Sequence, residues 1–231
     1  MGPLVPPAAA GAVLLAANVL NNRLAPGAYV ATCVGSAALL VLAARRDGCS
    51  WSDLGLGSGS LRRGLRWAAV AALLVLACYA LAALLPPTRT AFEDDRAGGS
   101  ALPSVLWNVL VKIPLGTVLL EETAFRGVLY AMLARRFGGW KAIAGSSLAF
   151  GIWHVLPSLG LTSRNAAVES IVGGGPAGPP VAVTAAVVGT ALGGVVCCEL
   201  RRRSGSLLAP MGLHWALNGL GFAFAAALAA R

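Results

Sequence analysis

Seven apolar stretches, each close to the length that crosses a bilayer, constrain this chain more than any other feature. A membrane-spanning helix needs about 20 predominantly apolar residues. Charged residues make up only 12% of the 231 residues, against about 25% in soluble proteins. We therefore expect an all-α, polytopic transmembrane helical bundle of about seven spans. The predicted spans lie at 4–21, 26–44, 65–85, 104–133, 142–159, 180–199 and 207–230.

The basic residues fall in loops that would share one side of the membrane. If the spans alternate, eleven Lys and Arg residues follow the second, fourth and sixth spans, and five lie on the opposite side. Because cytoplasmic loops carry the excess of basic residues, we expect the N-terminus in the cytoplasm. The same loops account for the net charge of +9, so binding to nucleic acid is not needed to explain it. We therefore expect the lipid bilayer, and not nucleic acid, as the partner.

Six ionisable side chains lie well inside the apolar stretches, and Glu199 lies near the end of one; a charge there is costly and marks function by default. Both histidines of the chain are among them. The fourth predicted span, which holds four of the six, also contains Pro114, so we expect a kink or a break there. The six are Lys112, Glu121, Glu122, Arg126, His154 and His214.

The segment LLEETAFRG at 119–127 contains two adjacent carboxylates with different prospects. On a helix, Glu122 and Arg126 are four residues apart, with the acid before the base, which favours an ion pair. Glu121 is rotated by about 100° from Glu122 and has no helical partner. We therefore predict a structural role for Glu122 and a chemical role for Glu121. The alternative is that both carboxylates simply neutralise Arg126 and Lys112.

Two further segments each place polar or aromatic groups on one helical face. In AFGIWHVLP, Phe150 and His154 are four residues apart, and in GLHWALNGL the same spacing joins His214 and Asn218. Each pattern alone is equally well explained by packing, or by the interhelical hydrogen bonds that His and Asn form in membranes. Unpaired polar groups in hydrocarbon cost several kcal/mol, so we expect the three segments to bring them together.

A buried site with one carboxylate, two imidazoles and an amide suits hydrolysis. The carboxylate can act as general base, a histidine can relay the proton, and an imidazolium or amide N–H can stabilise an oxyanion. Two histidines and one glutamate can instead hold a catalytic zinc ion with an open position. The residues leave both chemistries open.

The three motifs occur in a fixed order on successive predicted spans. E-E-x-x-x-R at 121–126, F-x-x-x-H at 150–154 and H-x-x-x-N at 214–218 together resemble the CPBP family of intramembrane proteases. This family, also called ABI or CAAX-protease-like, contains CAAX prenyl endoproteases and bacteriocin-processing or immunity proteins. The resemblance covers about residues 101–231, which we expect to form the catalytic core, with residues 1–100 supplying further spans and a cytoplasmic loop.

The resemblance implies hydrolysis of peptide bonds in a peptide or membrane-protein substrate. Glu121 would activate water with His154, while His214 and Asn218 would hold the oxyanion. Glu122, Arg126 and Phe150 would support the site. A divalent metal such as zinc, if present, would be held by Glu121, or Glu122 in its place, with His154 and His214; otherwise no cofactor is needed.

Two alternatives and one expectation of location complete the sequence-based picture. The same fold can serve without catalysis, as an immunity factor or a secretion scaffold. A small proton-coupled carrier is a third possibility, but the chain shows no inverted repeat. The Ala-, Gly- and Arg-rich composition is typical of a bacterial protein, so we expect the bacterial plasma membrane.

Overall fold

Helices form all the regular structure in the described part of the chain. The computed structural model describes residues 5–89, 92, 99–173 and 175–230, which contain no β-strand, so the predicted all-α bundle is confirmed. Short helical turns such as Pro86–Arg89, Val155–Ser158 and Ala166–Val172 join the main helices. The main helices are α1 (Val5–Val19), α2 (Tyr29–Arg46), α3 (Leu61–Leu84), α4 (Leu102–Phe137), α5 (Gly139–Trp153), α6 (Gly178–Ser204) and α7 (Leu208–Ala229).

Five segments of the described chain are long and apolar enough to cross a membrane, and the chain is therefore an integral membrane protein. They are Pro26–Arg46, Ser58–Leu84, Leu102–Phe137, Gly178–Ser204 and Leu208–Ala229. The first and fifth predicted spans fall on α1 and α5, each of 15 residues, which is shorter than the roughly 20 that a bilayer requires. Residue 4 of the first predicted span lies outside the described residues. The count of seven spans stays a prediction.

Helix α4 contains two π-helical segments and continues past Pro114, where the sequence predicts a kink or a break. Asn108–Val118 and Glu122–Leu129 are π-helical, with the single α-helical turn Leu119–Glu121 between them. Proline removes one backbone donor and crowds the preceding turn. The wider π-helical turn accommodates it, and the chain continues as a helix to Phe137.

The arginine-rich ends of several helices converge on one loop, residues 47–57. Arg201 donates from Nη2 to the carbonyl oxygens of Ser52 at 3.0 Å and Asp53 at 2.9 Å, and Arg136 contacts the Asp47 carboxylate at 3.4 Å. Gly55 has φ +74°, and a Cβ there would lie 2.1 Å from Arg201 Nε. The basic loops after α2, α4 and α6 therefore share one end of the bundle, as their charge pattern predicts.

Small residues let α5 approach α6 closely and so fix its position beside the site. A Cβ on Gly151 would lie 2.7 Å from the Val187 carbonyl oxygen, and one on Gly194 would lie 3.0 Å from Ser147. Such close approaches of small residues are typical of helix pairs in membranes. A buried cluster that includes Leu14, Leu40 and Leu120 joins α1 and α2 to α4. The division of the chain near residue 100 stays a prediction.

Candidate active site

Glu121 and Glu122 lie side by side in the buried middle of α4, at the boundary between its single α-helical turn and the second π-helical segment. Glu122 is completely buried and Glu121 is 6% exposed. π-helical turns inside α-helices are frequent at functional sites. Two adjacent carboxylates at this depth require specific partners.

Glu122 forms the predicted ion pair with Arg126. Arg126 Nη1 donates to Glu122 Oε1 at 3.0 Å, and both side chains are 0% exposed. The Arg126 guanidinium also stacks 3.9 Å from the centre of the Phe150 ring. His214 Nδ1, from α7, lies 2.7 Å from the same Oε1 atom. Glu122 therefore links α4 to α7.

Glu121 meets both histidines and one tryptophan. Its Oε1 accepts a hydrogen bond from Trp153 Nε1 at 3.0 Å. Its Oε2 lies 3.9 Å from His154 Nε2 and 3.8 Å from His214 Nε2. These two separations exceed a hydrogen bond, and a water molecule can bridge such distances. Glu121 Oε2 forms no hydrogen bond within the described part of the protein.

The second nitrogen of each imidazole is already engaged, which fixes how the rings face Glu121. His154 Nδ1 lies 2.8 Å from the Phe150 carbonyl oxygen, which only accepts, so Nδ1 carries a proton. His214 Nδ1 faces the Glu122 carboxylate and is likewise protonated. In the neutral rings both Nε2 atoms are therefore unprotonated, and both face Glu121 Oε2.

The charges of the site sum to one negative charge when both imidazoles are neutral, because two carboxylates face one guanidinium. Burying a net charge costs several kcal/mol even after relaxation. One additional proton within the cluster brings it to neutrality.

The predicted site residues divide into those that the structure brings together and one that it does not. Glu121, His154 and His214 converge, and Phe150 lies beside them with its ring centre 4.6 Å from that of His154. Asn218 is exposed and forms no side-chain hydrogen bond with the described residues. The segment Ala216–Leu220 is π-helical, so the α-helical spacing that aligned Asn218 with His214 does not hold. A role for Asn218 stays a prediction.

Sequence reasoning did not single out Trp153. It ends α5 directly before His154, is 8% exposed, and supplies the hydrogen bond to Glu121. A buried indole N–H usually finds an acceptor, and acceptor side chains are scarce in these spans. The scarcity of acceptors could have pointed to a hydrogen bond between Trp153 and a buried glutamate. An aromatic residue in an apolar stretch is, however, usually explained by packing alone.

The zinc alternative that the sequence leaves open stays a prediction. Within the described residues, no group of three or more His, Cys, Asp or Glu side chains is placed to hold a metal ion. Glu121 and the two histidines come nearest, with each Nε2 3.8 or 3.9 Å from Oε2. Two ligand atoms that are each about 2.0–2.2 Å from one tetrahedral zinc ion lie about 3.3–3.6 Å from each other. Glu122 Oε1 is already occupied by Arg126 and His214.

The helical core that carries this site matches a known protein family. Residues 101–220 match the family described as Type II CAAX prenyl endopeptidase Rce1-like. The chain belongs to this family. The Rce1-like segment contains all three motifs, from Glu121 to Asn218, so the predicted relationship to CAAX-type proteases is confirmed. No curated protein and no solved structure matches the chain.

Proposed function

We propose that this protein is an intramembrane endopeptidase in which Glu121 activates a water molecule to hydrolyse a peptide bond. The observation that carries the proposal is the convergence of Glu121 Oε2 with two imidazole Nε2 atoms at 3.9 and 3.8 Å. A water molecule bound between them can give its proton to Glu121 while its oxygen faces the substrate. Membership of a family of CAAX-type endopeptidases supports the same reaction class.

His154 assists Glu121 in moving the proton. Its side chain is 20% exposed, more than that of Glu121, Glu122 or His214, so water reaches the cluster most readily from the His154 side. With Nδ1–H held by the Phe150 carbonyl, the neutral ring presents an acceptor nitrogen to the attacking water. After attack, the proton on Glu121 passes to the leaving amine, as general acid–base catalysis requires.

His214 stabilises the tetrahedral oxyanion. As an imidazolium paired with Glu122 at 2.7 Å, it can donate from Nε2 to the developing negative charge. Arg126 and the Phe150 ring hold Glu122 in place, so three residues act on the oxyanion through one imidazole. The second oxyanion donor predicted from the sequence is the Asn218 amide.

The proposed reaction uses the side chains of this chain and assigns no step to a metal ion. Dialysis against a zinc chelator distinguishes the two chemistries. We expect cleavage to survive chelation. Loss of activity that is restored by zinc alone would instead place an ion among Glu121, His154 and His214.

The proposal is tested in cells that express wild type or Glu121→Gln at equal abundance. Comparison of the N-termini of membrane proteins should reveal new termini that depend on wild type and disappear in the variant. Glu199→Gln is the matched control, because Glu199 pairs with Arg202 and Arg203 at the basic end of the bundle. Identical termini in all three strains, with any cellular phenotype retained by Glu121→Gln, would favour a non-enzymatic immunity or scaffold role.

A further inference from the structure

One buried hydrogen bond at the site involves a residue outside the three motifs. Trp153 Nε1 donates to Glu121 Oε1 at 3.0 Å, and the two side chains come from different helices, α5 and α4. The opposite carboxylate oxygen, Oε2, is the atom that faces both histidines. A carboxylate with one oxygen fixed in this way presents the other in a defined direction.

Trp153 is itself held from two sides. Its ring packs edge-to-face on Phe125 with ring centres 5.9 Å apart, and Phe125 is also buried on α4. Its backbone carbonyl accepts a hydrogen bond at 2.9 Å from Nδ2 of Asn18, a buried residue of α1. Turning the indole away from Glu121 would disrupt its packing on Phe125 of α4, while the Asn18 contact holds the backbone from which the indole extends.

The contact from Asn18 is notable because α1 lies outside residues 101–220, which match the family. An amide in an apolar helix must find a partner. Here the partner is the last residue of α5, one position before His154. Helix α1 therefore contacts α5 at its last residue, directly before His154.

We propose that Trp153 is a positioning residue that orients the Glu121 carboxylate toward the attacking water, and that Asn18 of α1 holds Trp153 in place. This inference rests on the proposed function of Glu121 as the base. It adds a tryptophan donor and an N-terminal asparagine to the catalytic apparatus. Both act through Glu121 and contact neither the water nor the substrate.

The direct test removes the indole N–H and keeps an aromatic ring. With purified protein and a peptide that spans a cleavage site identified from the cellular termini, Trp153→Phe should lower kcat by about 10-fold to 100-fold, the size expected for one hydrogen bond to a charged group. KM should stay within about twofold, because substrate binding is untouched. Asn18→Leu should lower kcat less, by about 3-fold to 10-fold, since the indole remains.

Trp140→Phe is the matched control, because Trp140 is 81% exposed and remote from the motifs in sequence. It should leave kcat unchanged. If Trp153→Phe does not fold, a benzothienyl analogue of tryptophan at position 153 replaces only the N–H by sulfur and should give the same loss of kcat.

A spectroscopic measurement tests the contact without using activity. In protein labelled with ¹⁵N at the indole nitrogens, the Trp153 N–H resonance is identified by its absence from Trp153→Phe or from the benzothienyl protein. It should shift in Glu121→Gln and stay in place in Glu199→Gln.

The outcomes separate this inference from the proposed function. Full cleavage by Glu121→Gln overturns the proposed function, and the inference with it. Loss of cleavage in Glu121→Gln, together with full kcat in Trp153→Phe, overturns the inference alone. An indole resonance that does not shift in Glu121→Gln also overturns the inference. So does a Trp153→Phe protein in which kcat is unchanged and the loss of kcat/KM comes entirely from a higher KM.

Discussion

The buried ion pair between Glu122 and Arg126 makes a quantitative prediction about stability. Both side chains are 0% exposed and 3.0 Å apart, and Arg126 also lies 3.9 Å from the Phe150 ring centre. Arg126→Met replaces the guanidinium by an apolar side chain of similar length and leaves Glu122 paired with His214. Removing one member of a buried pair costs about 3–5 kcal/mol, so we expect the free energy of unfolding to fall by about 4 kcal/mol.

A double variant tests whether this cost comes from the unpaired carboxylate or from lost packing. Replacing both members of a buried pair by apolar residues is often nearly neutral. Glu122→Leu with Arg126→Met should therefore lose only about 1–2 kcal/mol, mainly because His214 loses its partner. The measurement is reversible unfolding in mixed micelles, analysed as a double-mutant cycle, with a coupling of at least about 2 kcal/mol. Additive losses from the two single variants would refute the reasoning.

Three smaller predictions concern the basic end of the bundle. Gly55→Ala should destabilise the protein by about 1–3 kcal/mol, because φ is +74° and the new Cβ would meet the Arg201 side chain; thermal melting measures this, and an unchanged melting temperature would contradict it. Hydrogen bonds from the backbone N–H and the side chain of Ser50 hold the pKa of Asp53 below its usual value. The stabilisation is present above the unfolded-state pKa of about 4 and is lost as the pH falls through the lower folded pKa. Asp53→Asn should therefore lose less than about 1 kcal/mol at pH 7 and flatten the pH dependence of melting below about pH 4; a steeper acid dependence would oppose this. A cysteine at the exposed position Arg62 should react with an impermeant maleimide only after cells are lysed; labelling of intact cells would reverse the predicted orientation.

The apolar stretches and the i, i+4 spacings correctly predicted the features that depend on a single segment of sequence. The helical bundle follows from apolar length, and the Glu122–Arg126 contact follows from helical periodicity, because both are properties of one continuous segment. The charge pattern also placed the arginine-rich loops at one end of the bundle, where Arg201 and Arg136 contact the same loop.

Contacts between distant helices were less accessible to sequence reasoning. No spacing within one motif shows that His214 binds Glu122, 92 positions earlier, or that Trp153 binds Glu121. Local geometry also differs from the assumed α-helix in two places, where the turns are π-helical. Pro114 lies in one such segment without ending α4. The exposed Asn218 lies in another, so its α-helical alignment with His214 does not hold.

The central claim is that Glu121 activates water, and the most direct test is the rate of peptide hydrolysis by purified protein. Wild type and Glu121→Gln, matched for melting temperature, are compared on one substrate peptide in water enriched in ¹⁸O. Wild type should cleave the peptide and place one solvent oxygen in the new carboxyl group. Glu121→Gln should lower kcat by about 10²-fold to 10⁴-fold, the range for loss of a general base. Cleavage by Glu121→Gln at a rate within about tenfold of wild type would contradict the account, since general acid–base catalysis contributes more than that.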